Sequence, residues 1–214
     1  MKKALSLSLV WCMFSVVALA QERQYDLSKL YKEGKLLAHG RTLSLSEGGK
    51  AVKLGEDNGE GLVWLKDVVF SNGTIEVDLK GKDVMQGSFI GIAFHGVNDS
   101  TYDAIYFRPF NFNAKDPVRK IHAVQYVSHP EFGWERLRNE RNGEFEKALV
   151  NPPDANAWFH TRIVVKDETV TVFVNDDKTP SLVVKKLNDR KAGSLAIWVG
   201  NGSDGEFKNL TIKP

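Results

Sequence analysis

The stretch Thr74-Ile75-Glu76-Val77-Asp78-Leu79 changes from polar to apolar at every step. Successive side chains of a β-strand point to opposite faces, so this run buries Ile75, Val77 and Leu79 and leaves Glu76 and Asp78 facing water. The same period returns from Arg162 to Lys166 and from Thr169 to Val174, with only Asp167-Glu168 between them, which predicts a tight hairpin. Asn175-Asp176-Asp177-Lys178 marks the next turn, before a strand at Ser181 to Lys186. Strands at Ser194 to Val199 and Glu206 to Ile212 close the chain, separated by the turn-rich run from Gly200 to Gly205.

Three strands in the middle of the chain depart from alternation. Ser88 to His95 is apolar on both faces, and Tyr102 to Phe107 and Ile121 to Val127 nearly so. Strands of this kind belong at the centre of a sheet, where one face meets the core and the other lines something. They predict a sandwich with a lined groove. No segment sustains a helical period. The fold expected is all-β, an antiparallel two-sheet jelly-roll sandwich. Gln21 to Leu37 is the least strand-like piece, and 111–119 and 128–157 are the longest irregular stretches.

The first twenty residues read as a signal peptide. Lys2 and Lys3 precede an apolar run from Ala4 to Val17, and Ala18-Leu19-Ala20 supplies small residues for cleavage before Gln21. The run is shorter than the roughly 20 apolar residues a spanning helix needs. A secreted or periplasmic protein is expected, with residues 21–214 forming one β-sandwich domain. The one cysteine, Cys12, lies in the signal, so the mature chain excludes disulfides, cysteine nucleophiles and thiolate metal sites. The net charge of +2 comes from 29 basic and 27 acidic residues, and losing Lys2 and Lys3 leaves 27 of each. Without a basic run, nucleic acid is not an expected partner, and no second apolar run suggests membrane insertion.

The candidate ligand-binding residues lie on the central strands and the loop that follows them. His95 ends the first strand, Tyr106 and Arg108 share a face of the second, and Gln125 stands on the third. Glu131 and Trp134 follow in the loop from His129 to Arg136. Aromatic rings stack on the apolar face of a pyranose, and charged or amide groups take its hydroxyls, so this set suits an oligo- or polysaccharide. Trp158 and Trp198 are assigned to packing.

Catalytic signatures are sparse. Glu76-Val77-Asp78 begins like the acidic run of laminarinase-type glycosidases, but Gly81 stands where a third carboxylate is required. His122, His129 and His160 lack metal-ligand spacing. No cofactor is implied. Asp99, Asp103 and Asp204 are the candidate calcium ligands, though none lies in a dense run of oxygen donors. The sequons at Asn72, Asn98, Asn201 and Asn209 read as turn chemistry.

Gly73 to Leu79, Gly91-Ile92-Ala93-Phe94-His95 and Tyr102 to Arg108 together resemble the concanavalin A-like lectin/glucanase superfamily. So do Trp158 to Val165 with the strand to Asn175, and the closing Gly205 to Ile212. Within it the likeness is to bacterial exported domains named for 3-keto-disaccharide hydrolysis (LamG-like), over about residues 40 to 214. The resemblance implies a jelly roll whose concave face binds saccharide. Three functions follow: a lectin-like binding protein, a glycoside or 3-keto-disaccharide hydrolase, or a structural or adhesion module. For a hydrolase, His95 with Glu131 or Glu135 are the acid–base candidates.

Overall fold

The computed structural model describes residues 21–214; the expected signal lies outside them. Two antiparallel sheets pack face to face. The path through the first, eight-stranded sheet runs Leu182–Lys185, Thr169–Val174, Phe159–Lys166, Gly73–Lys80, Gly205–Lys213, Ala51–Leu54 and Leu43–Ser46. Arg23–Tyr25 pairs with the far end of Gly205–Lys213. The second, seven-stranded sheet runs Glu146–Lys147, Val124–Ser128, Thr101–Phe107, Ile90–Asn98, Gly193–Val199, Gly61–Phe70 and Leu36–His39.

The first sheet follows the alternation read from the sequence. Ile75, Val77 and Leu79 are buried and pair with Ile163, Thr161 and Phe159 of the neighbouring strand. Lys166 pairs with Thr169 across the two-residue Asp167-Glu168 loop, where Asp167 takes a positive φ of 52° that suits the twist of a tight hairpin. Glu76 and Asp78 face outward. Lys213 Nζ donates to Glu76 at 2.7 Å, and His160 and Asn209 hold Asp78 at 2.7 Å each. The acidic pair is thus engaged on the outer face of one sheet, away from the groove on the other.

The second sheet is covered on both sides, as its apolar middle strands require. Its inner face meets the first sheet: Phe107 packs edge-on against Phe159 at 5.1 Å. Its outer face carries the longest irregular stretches of the chain, which turn inward over it. Contrary to the expectation of no helix, short helices form at Leu27–Lys32, Pro117–Lys120 and Trp134–Glu140. Each is at most seven residues. That is too short to register as a helical period, and helices of this length depend on tertiary packing for stability. Asp26 and Asp116 cap the first two by accepting from Lys29 N and Val118 N. No helix among the described residues is long and apolar enough to cross a membrane.

Candidate functional site

One row of paired residues crosses the second sheet: Trp198 opposes Gly91, Gly91 opposes Tyr106, Tyr106 opposes Gln125, and Gln125 opposes Glu146. Directly paired residues project to the same face, so these four side chains stand side by side on the outer surface of the sheet. Gly91 is the gap in the row. Without a side chain there, the rings of Tyr106 and Trp198 meet at 4.9 Å across the intervening strand. A Cβ on Gly91 would come within 2.1 Å of the Ile105 carbonyl oxygen and 2.6 Å of Tyr106 Cα. The next row, Trp64, Ala196, Ala93 and Ala104, is small after its first member, and Trp64 meets Tyr102 edge-on at 6.3 Å.

This floor opens into a groove of about 600 Å³. Phe89, Tyr106, Phe110 and Trp198 supply its aromatic lining, and Trp134 stands at its rim. Gln86, Asn111, Arg119 and Asn201 stand along its wall, and its remaining polar groups fall into two clusters.

The first cluster centres on Glu146, which is only 2% exposed. Arg138 grips it with both arms of its guanidinium, Nε to Oε1 at 3.1 Å and Nη2 to Oε2 at 2.9 Å. His122 Nδ1 lies 2.7 Å from Oε2, and Arg108 Nη1 lies 3.4 Å from it. Burial alone would push this carboxyl up, but the Arg138 hydrogen bonds and the two arginine charges outweigh it and hold Glu146 below the usual carboxylate range. Burial is the largest influence on His122 and pushes it down, with Glu146 opposing and Arg138 reinforcing. The ring is therefore neutral at pH 7. Nδ1 and Oε2 are close but not aligned as a hydrogen bond; since an ionised carboxylate can only accept, its proximity favours the tautomer with the proton on Nδ1 and the lone pair on Nε2.

Arg108 joins this cluster to the floor. Its Nη2 donates to the Tyr106 hydroxyl at 2.6 Å and to Gln125 Oε1, and Nη1 donates to the His122 carbonyl at 3.0 Å. Tyr106 in turn donates to Gln125 at 2.7 Å. Burial pushes the Tyr106 hydroxyl up to about 12, so it remains a donor.

The second cluster is Glu60, His129 and Tyr102. The Tyr102 hydroxyl donates to Glu60 and accepts from Trp198 Nε1 at 3.2 Å, while His129 Nε2 lies 3.5 Å from the other Glu60 oxygen. Burial, followed by the Glu60 charge, pushes Tyr102 well up.

The expected residues are divided by this arrangement. Tyr106, Arg108 and Trp134 line the groove, and Gln125 lies buried behind Tyr106 and Arg108. Glu131 does not line it; its carboxylate pairs with Arg136 at 3.1 Å in solvent. His95 must be corrected. Alternation from Gly91 and Ala93 places it on the face of Tyr106, opposite Tyr102, but the strand bulges there, with a φ of 51° at His95 and a register shift against both neighbours. The ring turns to stack on Phe70 at 5.8 Å and meets the Ser71 carbonyl at 2.8 Å, leaving it 1% exposed. Its pairing with Glu131 or Glu135 as acid and base is removed with it.

The candidate calcium ligands do not converge: Asp99 holds Trp64 and His39, Asp103 holds Arg190 and Asn188, and Asp204 holds Lys53 and Lys82. Trp198, read as packing, is half of the ring pair on the floor. Its alternation with the inward Ile197 carried that signal. Glu60, His122, Arg138 and Glu146 carry no local signal, because three distant segments bring them together.

A family model described as the 3-keto-alpha-glucoside-1,2-lyase-like domain matches residues 26–213. Among solved structures, the carbohydrate-binding module CBM66 from Bacillus subtilis aligns at a TM-score of 0.59 and 14% identity, covering 84% of this chain and 96% of that one. A prokaryotic beta-1,3-1,4-glucanase (lichenase) derived from a mouse hindgut metagenome aligns at 0.58 and 12%, covering 90% and 99%. At these identities the likeness is one of fold, the jelly roll of concanavalin A-like proteins. No curated protein matches this chain in sequence.

Proposed function

The chain belongs to the 3-keto-alpha-glucoside-1,2-lyase-like family, and we propose that it is an exported protein that binds a glucoside-type saccharide in the groove of its second sheet. The observation that carries this reading is the Tyr106–Trp198 ring pair, the two rings tilted 41° to each other between two clusters of charged side chains. Tyr106 and Trp198 are each only 3% exposed, so the apolar platform offered to the C–H face of a pyranose is shared with the more open Phe89 beside them. Glu60, His129 and His122 border it, with hydrogen-bonding capacity left for hydroxyls. Arg108 acts less directly than its sequence position suggests, since both of its terminal nitrogens are bonded to protein groups.

The His122–Glu146 pair favours a second reading, that binding leads to elimination. The family name describes breaking a 3-keto-glucoside across C1 and C2. A C2–H beside a ketone is acidic, and a neutral imidazole with its Nε2 lone pair free is a suitable base. His122 takes that proton, the C–H electron pair becomes the C1–C2 double bond, and the C1–O bond breaks. The departing oxygen takes a proton from the Glu60–His129 cluster, and the products are an unsaturated keto sugar and an alcohol.

Titration of the purified protein with glucosides and their 3-keto derivatives tests both readings. Saturable binding is expected, weakened about tenfold or more by Trp198→Ala, a loss of about 1.4 kcal/mol. Alcohol release is expected from 3-keto-glucosides alone, and His122→Gln should abolish release while retaining binding. Absence of binding to every saccharide would sink the first reading; binding without release would sink the second. N-terminal sequencing of the exported protein should begin at Gln21.

A further inference from the structure

The rim of the groove differs in chemistry from its floor. Met85, Val118 and Trp134 line it yet are 51%, 64% and 48% exposed. Val84, next to Met85 in sequence, and Ile121, three residues after Val118, are exposed as well. A single exposed hydrophobe is ordinary on a protein surface. Here three come from three separate segments: the loop before Ile90–Asn98, the helix Pro117–Lys120 and the helix Trp134–Glu140. All three border one cavity. An apolar patch gathered at the mouth of a groove marks a place where something apolar is covered.

We propose that this rim receives the apolar aglycone of a glucoside whose sugar ring lies on the Tyr106–Trp198 floor, so that the ligands of the groove are amphipathic glycosides rather than oligosaccharides. The inference rests on the saccharide reading above and specifies its substrate class. The groove, at about 600 Å³, is of the size that encloses a drug-sized molecule and leaves room beyond one sugar ring. A second sugar at the rim would set hydroxyls against Met85 and Val118, and a buried hydroxyl without a partner is costly. The arginines nearby offer little relief. Arg138 is committed to Glu146, and Arg119 donates to Asn111 Oδ1 at 3.2 Å and to the Phe110 carbonyl at 2.7 Å. A planar or aliphatic aglycone instead removes its own apolar surface and that of the rim from water together.

Calorimetric titration with three α-glucosides, methyl, naphthyl and the disaccharide maltose, each as parent and 3-keto derivative, tests this on the full protein. Naphthyl glucoside is expected to bind at least tenfold more tightly than methyl glucoside. The double substitution Met85→Ser, Val118→Ser should bring the naphthyl compound down to the methyl value and leave the methyl value unchanged. If that variant fails to fold, Val118→Ser alone, at an exposed helix position, should remove part of the preference. Equal affinities for methyl and naphthyl glucoside, or a stronger maltose complex, overturn the proposal and leave the saccharide reading standing. If none of the three binds, or if free naphthol binds as tightly as its glucoside, the saccharide reading itself fails.

Discussion

Arg108 shows how one residue's role depends on where its donors end. In sequence it is an arginine in an apolar strand, which suits a ligand contact and a structural ion pair equally. In the fold it is 5% exposed and ties Tyr106, Gln125, the His122 carbonyl and Glu146 together. Arg108→Ala is therefore expected to destabilise the protein by about 3 kcal/mol, because it strips partners from buried polar groups. For a chain of this length that is a fall in Tm of roughly 6–12 °C. Thermal unfolding followed by circular dichroism measures it, and an unchanged Tm would return Arg108 to a ligand role. The depressed Glu146 carboxyl adds stability that is present above about pH 4.5 and lost as pH falls through its folded value.

At the scale of strands, Gly91 decides whether the floor can exist. Its missing side chain lets two rings meet across a strand, so Gly91→Ala should both destabilise the sheet by about 1–3 kcal/mol and disturb the groove. Urea unfolding together with ligand titration checks this; native stability and affinity in that variant would mean the strand can shift to admit a methyl group. Across the other sheet, His160 opposes Asp78 on neighbouring strands, with Nδ1 2.7 Å from Oδ1. The hydrogen bond to Asp78, followed by that carboxylate's charge, raises His160 above its ordinary value of 6.5. A raised histidine stabilises fully below its unfolded value and loses that contribution as pH rises through the folded one. Wild-type Tm should therefore decline from about pH 6.5 upward relative to Asp78→Asn. The pair is partly exposed, so the difference should stay under about 1 kcal/mol. A pH-independent difference between the two proteins would remove His160 as its source.

For the whole molecule, the described residues contain no cysteine, so the buried faces of two sheets hold the fold without covalent help. Reductant should leave the Tm of the protein lacking residues 1–20 unchanged, and a shift would contradict a fold held by its core alone. What could be read along the chain was whatever repeats locally. Ile75, Val77 and Leu79 announce a half-buried strand because the period-2 geometry of the backbone acts residue by residue. The doubly apolar strands from Ser88 to Val127 announced a covered face for the same reason. That much, two antiparallel sheets and a lined groove on the middle strands, the sequence by itself determined. The tertiary structure alone decided what lines the groove. Glu60, His122, Arg138 and Glu146 come from segments far apart in sequence and meet only when strands pair in register and the long loops fold back over the sheet. The bulge that turns His95 away was hidden for the same physical reason, since a change in register belongs to a pair of strands and leaves no mark on the alternation of one.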